Sequence, residues 1–229
     1  MYKTTMILIA LIMTTSAVFA DANIDLQMGL TQFYSESGSY GSSGISERGY
    51  RGDINTTIPF DNWDIALDVR CLGFPGSDNA FTYYTDFVAS FYFSEGDIKP
   101  YFAPVIGYSH SRMKLGRNDE KLQYDFYRFG GKFGLKSTFG NKYLDICFGL
   151  IAETPTWKED DSDYTSAFPE DFYLENEIQA EFGWTINKHF GITTKLSGLS
   201  SNFIVDIFNN NVTGTEYMPS IQIGPSLYL

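Results

Sequence analysis

Acid–base chemistry in this sequence would depend on its two histidines, His110 and His189. His110 lies between Ser109 and Ser111. A serine hydroxyl, a histidine and an orienting carboxylate form the group that many hydrolases use for nucleophilic attack. His110, Ser111 and Asp86 are therefore the residues from which a hydrolytic site would be built. Neighbours in sequence need not be in contact in space, so the pattern by itself predicts no catalytic residue.

A larger set of charged residues lies on the polar side of alternating apolar and polar runs. Its thirteen members are Arg51, Asp53, Asp68, Arg70, Asp86, Arg128, Lys132, Lys136, Asp145, Glu175, Glu177, Glu181 and Lys195. If these side chains share a narrow interior, opposite charges should pair across it and replace a hydrophobic core. The alternative is a narrow polar conduit lined by the same groups.

Metal and disulfide chemistry have weaker support. Residues 159–163 are an acidic run, but they lack the spacing and the closing Glu of a calcium loop. Solvated charge is the default interpretation, a weak divalent-ion site is the alternative, and no metal or cofactor is predicted.

Cys71 lies on the apolar side of its run and Cys147 on the polar side of another, so we expect two free thiols.

Composition narrows the class of protein. The chain has 229 residues and a formal net charge of −12, which argues against a nucleic-acid partner because phosphate binding needs a basic surface. Aromatic residues make up 17% and charged residues 19%, which is typical of a folded chain. Residues 1–20 carry Lys3, a short apolar run and small residues ending at Ala20, a pattern that predicts a cleaved export signal. Residues 21–229 then form one domain.

A two-residue alternation of apolar and polar positions predicts β-strands after residue 20. Ile65, Leu67 and Val69, for example, alternate with Asp68 and Arg70. We count ten such runs. The connections between them alternate in length, with long polar loops expected at 35–49, 75–79, 109–121, 154–171 and 200–214.

Three features favour a membrane barrel over a soluble β-domain. The runs are long enough to cross a bilayer when tilted, the loop lengths alternate, and aromatic residues such as Phe60, Trp63 and Trp184 cluster near predicted strand ends. The sequence therefore predicts an all-β fold, a closed antiparallel up-and-down transmembrane β-barrel of about ten strands, with eight as the alternative count. A soluble exported β-domain with its ionic face outward is the competing interpretation.

The chain resembles the small outer-membrane β-barrel family, the OmpA-type and opacity-type, porin-like barrels of Gram-negative bacteria. The likeness rests on the export signal, the alternating strands, the segment KPYFAPVIGY at 99–108 and the closing strand that ends at Leu229. It implies a location in the bacterial outer membrane and a non-enzymatic structural or surface-binding role through the long loops. Lipid, lipopolysaccharide and the barrel-assembly machinery would be its partners, and the barrel would be a monomer. A small pore and a lipid-modifying hydrolase are the alternative functions.

Overall fold

The chain forms a closed barrel of ten antiparallel strands. The computed structural model describes residues 22–37, 45–75, 80–115, 120–155, 173–207 and 210–229. The strands are β1 (Asn23–Ser37), β2 (Ile45–Pro59), β3 (Trp63–Phe74), β4 (Ala80–Tyr92), β5 (Ile98–Leu115), β6 (Glu120–Phe139), β7 (Lys142–Pro155), β8 (Tyr173–Asn187), β9 (Phe190–Ile207) and β10 (Asn210–Tyr228). Each strand pairs with the next along the chain, and β1 pairs with β10 to close the sheet. The predicted up-and-down barrel is confirmed, with ten strands rather than eight.

The two ends of the barrel differ in their connections. The connections at 60–62, 93–97, 140–141 and 188–189 lie at one end together with both ends of the described barrel, and we call this the turn end. The opposite ends of the strands, such as Ser37, Leu115 and Ile207, form the other end of the barrel, which we call the loop end. Gly140 has φ of 65°, a left-handed conformation that glycine adopts without strain, and it allows the short reversal between β6 and β7. No helix in the described residues is long and apolar enough to cross a membrane.

Several hairpins extend further than the alternation predicts. The expected loop at 109–121 is wrong, because β5 continues to Leu115 and β6 begins at Glu120. The expected loop at 200–214 is also wrong, because β9 and β10 stay paired up to Ile207 and Asn210. Backbone hydrogen bonds, which do not depend on apolar side chains, continue the ladder through these polar stretches. The predicted export signal at 1–20 and the acidic run at 159–163 lie outside the described residues.

Side chains alternate between the outside and the inside of the barrel. In β3 every second residue from Asp64 to Phe74 is buried or nearly so, and the residues between them are more exposed. The outer wall is apolar around its circumference: exposed members include Met28, Ile65, Phe87, Ile106, Phe133, Ile146, Ile178, Leu196, Ile221 and Ile223. This wall has the composition that a surrounding apolar medium would require.

Aromatic side chains border the outer wall at both ends. At the turn end, Phe60 stacks on Trp63 with 4.1 Å between ring centroids, and Trp63 stacks on Phe91 at 6.3 Å. Phe93, Phe139 and Trp184 are exposed near the same end. Near the loop end, the exposed aromatic residues of the wall are tyrosines, at positions 34, 50, 127 and 217. Among the described residues, Phe and Trp thus predominate at the turn end and Tyr at the loop end, where the half-buried Phe81 also faces outward.

Candidate functional site in the barrel interior

The first interior group is built around Arg51. Its guanidinium donates to Asp53, with Nη2 2.8 Å from Oδ2, and its Nη1 donates to the hydroxyls of Ser197 and Ser220. Lys195 also reaches Oδ2 of Asp53, at 3.2 Å. Strands β2, β9 and β10 are thereby joined through the interior.

The second group is centred on Glu177. Its Oε1 accepts from Nη2 of Arg70 at 2.9 Å, and its Oε2 lies 2.7 Å from Nζ of Lys132. Arg70 also contacts Asp68, although Nη2 and Oδ2 are 3.5 Å apart. Arg70 and Glu177 have no solvent exposure. An ion pair at this depth is balanced between desolvation and attraction, and removal of one partner leaves an unpaired buried charge.

Arg128 forms the third group. Nε donates to Asp86 at 2.9 Å, Nη2 donates to Glu175 at 2.9 Å, and Nη1 donates to Glu153. Glu153 is not a member of the predicted charge set, although it lies on the same face of β7 as Asp145. The signal was its alternation in phase with Asp145 on β7.

An apolar cluster fills part of the interior near the loop end. Leu72, Phe74, Tyr84, Leu199 and Met218 are buried there, and Phe33 packs against them. Sequence reasoning missed this cluster because it assigned apolar residues to the outer wall. The sequence does contain a signal for it, the phase of the alternation in β3: Leu72 and Phe74 follow Asp68 and Arg70 at intervals of two residues and therefore point inward.

The interior near the turn end is organised by tyrosines. The hydroxyl of Tyr101 donates to Asp145 at 2.9 Å, and that of Tyr143 donates to Glu181 at 2.7 Å. Lys136, which neighbours Asp145 in register, instead has its ammonium 5.2 Å from the ring centre of Tyr143. Three members of the predicted charge set, Lys136, Asp145 and Glu181, therefore have aromatic partners in the described structure, and a cavity of about 150 Å³ lies among them.

The three residues considered for hydrolysis do not come together. Asp86 is in the interior with Arg128, and the hydroxyl of Ser111 is 3.0 Å from that of Thr82. His110 lies on the opposite face of β5, because adjacent residues of a strand point to opposite sides. The candidate group of His110, Ser111 and Asp86 is therefore wrong.

His110 has a different carboxylate partner. Its Nδ1 is 2.6 Å from Oδ1 of Asp125, the residue opposite it on β6. The hydroxyl of Tyr108 donates to the same oxygen, and the ring of Tyr83 lies 5.1 Å from the imidazole. An aspartate bonded to one imidazole nitrogen orients the ring and leaves the other nitrogen for a further partner.

The cysteines are separated by the barrel wall. Cys71 is exposed on the outside, Cys147 is buried inside, and both are free thiols, as the sequence predicts. In the part of the chain that the structure describes, no three His, Cys, Asp or Glu side chains are grouped as metal ligands.

The closed barrel, with its apolar wall and charged interior, has the fold of outer-membrane β-barrel proteins. The outer membrane protease OmpT from Escherichia coli superposes with a TM-score of 0.53 at 9% identity, over 92% of this chain and 97% of that chain. Neisserial surface protein A gives 0.38 at 9% identity, over 89% and 97%. The outer membrane phospholipase from Salmonella typhi gives 0.33 at 9% identity, over 87% and 90%. No family model matches the sequence, and no curated protein matches it significantly. At these identities the likeness shows the fold alone, and the similar structures include enzymes as well as a surface protein.

Proposed function

We propose that the chain is an integral protein of the bacterial outer membrane, with no catalytic role, that anchors itself in the bilayer and presents its loop end outside the cell. A transmembrane β-strand needs about 9–11 residues, and the shortest strand here, β3, has 12. The apolar wall bordered by aromatic residues fits a bilayer core with its two interfaces. Short turns face the periplasm in such barrels, so the turn end would face the periplasm and the loop end would face the cell exterior.

The non-conducting role is supported by the complete burial of the side chains at the centre of the barrel. Arg70, Arg128 and Glu177 have no solvent exposure, and Leu72 and Leu199 have 1% each. Ion conduction requires a continuous hydrated path, and these side chains occupy that path. The ion pairs serve as the core of the barrel, and the small-pore alternative loses support.

The proposal also includes the export signal at 1–20, cleaved after Ala20, which would deliver the chain to the periplasm. Lipid and lipopolysaccharide would surround the wall, the barrel-assembly machinery would insert it, and the barrel would be monomeric. Kinship with the OmpA-type and opacity-type barrels is proposed on the segment at 99–108. The loops would provide whatever surface binding the protein performs, because loops on a rigid scaffold vary without loss of the fold.

Two measurements on the full chain test this function. Outer-membrane fractionation, with gel mobility compared before and after boiling in detergent, should show the protein in the outer membrane with a boiling-dependent shift. Insertion into planar bilayers should then give no stable conductance steps. A soluble periplasmic protein without a shift would refute the membrane role, and regular ohmic steps would refute the closed interior.

A second candidate function, acid–base chemistry on lipid headgroups, is favoured by the His110–Asp125 pair. The pair lies on the face opposite the interior, close to the loop end, where headgroups would meet the wall. Mass spectrometry of lipid A and phospholipids from an expressing strain tests it. Lipid changes that require His110 would establish the hydrolase and overturn the non-catalytic proposal, and unchanged lipids would remove this candidate.

A further inference from the structure

The cavity at the turn end has an unusual charge balance. Five carboxylates line it, those of Asp25, Asp64, Asp68, Asp145 and Glu181, together with three lysines, Lys132, Lys136 and Lys195. Two of the lysines already have acidic partners outside the lining, since Lys132 contacts Glu177 and Lys195 contacts Asp53. Lys136 is the one lysine of the lining without a close ion pair among the described residues: its ammonium lies over the ring of Tyr143, and its electrostatic interactions with Asp25 and Asp145 are longer.

The carboxylates of this cavity have mainly neutral hydrogen-bond donors. Tyr92 donates to Asp64 at 2.5 Å, Tyr101 donates to Asp145, and Tyr143 donates to Glu181. Neutral donors stabilise an anion less than a cation does, and buried anions are normally paired with cations. The lining therefore has a deficit of positive charge.

Asp68 supplies an independent indication of a missing partner. Its side chain is only 6% exposed, and its Oδ1 has no hydrogen-bond partner, while Oδ2 has the long 3.5 Å contact with Arg70. A buried carboxylate oxygen without a donor is costly. Asp68 is one of the residues that line the cavity, so a donor bound there lies beside this side chain.

The shape and lining indicate the class of that donor. The volume, about 150 Å³, equals that of an engineered cavity that accepts benzene, a ligand of about six heavy atoms. The rings of Tyr92, Tyr101 and Tyr143 lie beside the carboxylates. Aromatic faces attract ammonium groups, as the ammonium of Lys99 over Tyr92 and that of Lys136 over Tyr143 illustrate. We propose that the turn-end cavity binds a small organic ammonium ion, a primary amine or diamine, that enters from the turn end.

Access from one side follows from the packing described above. The ion groups around Arg70 and Arg128 and the apolar cluster around Leu72 close the interior towards the loop end. The cavity residues Asn23, Thr57 and Tyr228, by contrast, lie at the turn end. The ligand would therefore come from the compartment that the turn end faces.

Isothermal titration calorimetry on the refolded full chain in a non-ionic detergent tests the proposal, with 1,4-diaminobutane as the probe. The matched control ligand is 1,4-butanediol, which has the same number of heavy atoms and no charge. Saturable heat with the diamine and none with the diol is expected. Absence of saturable heat with the diamine at millimolar concentrations, or equal heat with the diol, would overturn the proposal.

Variants locate the site. Asp68→Asn and Asp145→Asn should each weaken diamine binding about tenfold or more, since each removes one close charge from a poorly solvated cavity. Asp61→Asn, in the exposed turn between β2 and β3, is the matched control and should bind as the wild type does. Equal loss in all three variants would indicate non-specific attraction to an acidic protein and would refute the site.

Lys136→Gln should change the affinity for the diamine in the opposite direction. Removal of this cation should strengthen diamine binding about tenfold, because Lys136 repels the ligand. Weaker binding in Lys136→Gln would contradict the proposed charge balance. A boiling-dependent gel shift for every variant establishes that the barrel is folded, and the titration of the wild-type protein decides the proposal even where a variant fails to refold.

Discussion

The guanidinium carbon of Arg128 lies 4.4 Å from the centre of the Tyr84 ring. The same ring has Arg70 at 5.4 Å and belongs to the apolar cluster with Leu72 and Leu199. Tyr84 thus connects two kinds of packing that are usually separate, a buried ion network and a hydrophobic core. The contact is a cation–π interaction, which gains strength when the cation is desolvated, as both arginines are here. The consequence is that Tyr84, Arg70 and Arg128 are buried together at this level of the interior.

Loss of the central acid should destabilise the barrel strongly. Glu177→Gln leaves Arg70 and Lys132 without their shared carboxylate in a site that has no solvent exposure. Breaking a buried pair in this way costs about 3–5 kcal/mol. Urea unfolding in lipid vesicles should therefore show a lower free energy of unfolding, whereas Glu95→Gln, in an exposed turn, should change it by less than about 0.5 kcal/mol. Equal stability of the two variants would mean that the ion network does not hold the interior together.

The free energy of unfolding should depend more on the inward apolar residues than on the outward ones. Replacement of Leu72 and Leu199 together by Ala leaves unfilled volume beside Phe74, Tyr84 and Met218. Truncation of a buried leucine costs about 2–5 kcal/mol, so urea unfolding in lipid vesicles should show a large loss of stability. A double variant that replaces the outward-facing Leu67 and Leu196 by Ala should lose less, because lipid fills the space and no cavity remains. An equal or larger loss in the outward variant would contradict the assignment of the faces.

The sequence was sufficient to predict the barrel because each strand must expose one face and bury the other. The sequences of β3 and β8 therefore alternate with a period of two. The same alternation predicts that Cys71 and Cys147 face opposite sides of the barrel wall. Other features were not predictable in the same way. The pairing of β5 and β6 beyond Tyr108 depends on backbone bonds that any sequence can make.

The contacts between interior side chains also depend on which residues lie at the same level along the barrel axis, and the register of the closed sheet sets that level. Arg128 meets Asp86 from β4 and Glu175 from β8, and no spacing along the chain encodes that meeting. Leu72 and Phe74 are inward by the phase of β3 although they are apolar, so polarity misassigns them and only the phase identifies them. The tyrosine–carboxylate pairs at the turn end likewise required the register, because Tyr101 reaches Asp145 across β6.

Gly107 should be intolerant of even one added methyl group. A Cβ at this position would lie 2.0 Å from Oδ1 of Asp86 and 2.6 Å from the backbone oxygen of Thr85. That carboxylate oxygen accepts from Arg128, so the glycine leaves the space through which Asp86 reaches its partner. Gly107→Ala should lower the free energy of unfolding by about 1–3 kcal/mol through overpacking. Gly73→Ala is the matched control, since its Cβ would meet nothing within 4 Å; a loss of stability in Gly73→Ala that equals the loss in Gly107→Ala would refute the steric explanation.

The two thiols should differ sharply in reactivity with a lipid-soluble maleimide. Cys71 is exposed on the outer wall, whereas Cys147 is buried beside Tyr101 and Ala103. In lipid vesicles the reagent should therefore modify one thiol per folded chain, and mass spectrometry of the digested protein should locate it at Cys71. Cys71→Ser should abolish labelling of the folded barrel, while Cys147→Ser should leave it intact. After denaturation both thiols of the wild-type chain should react, since neither is in a disulfide. Preferential labelling of Cys147 in the folded protein would contradict the inward orientation of its strand face, and with it the arrangement of Asp145 and the turn-end cavity on β7.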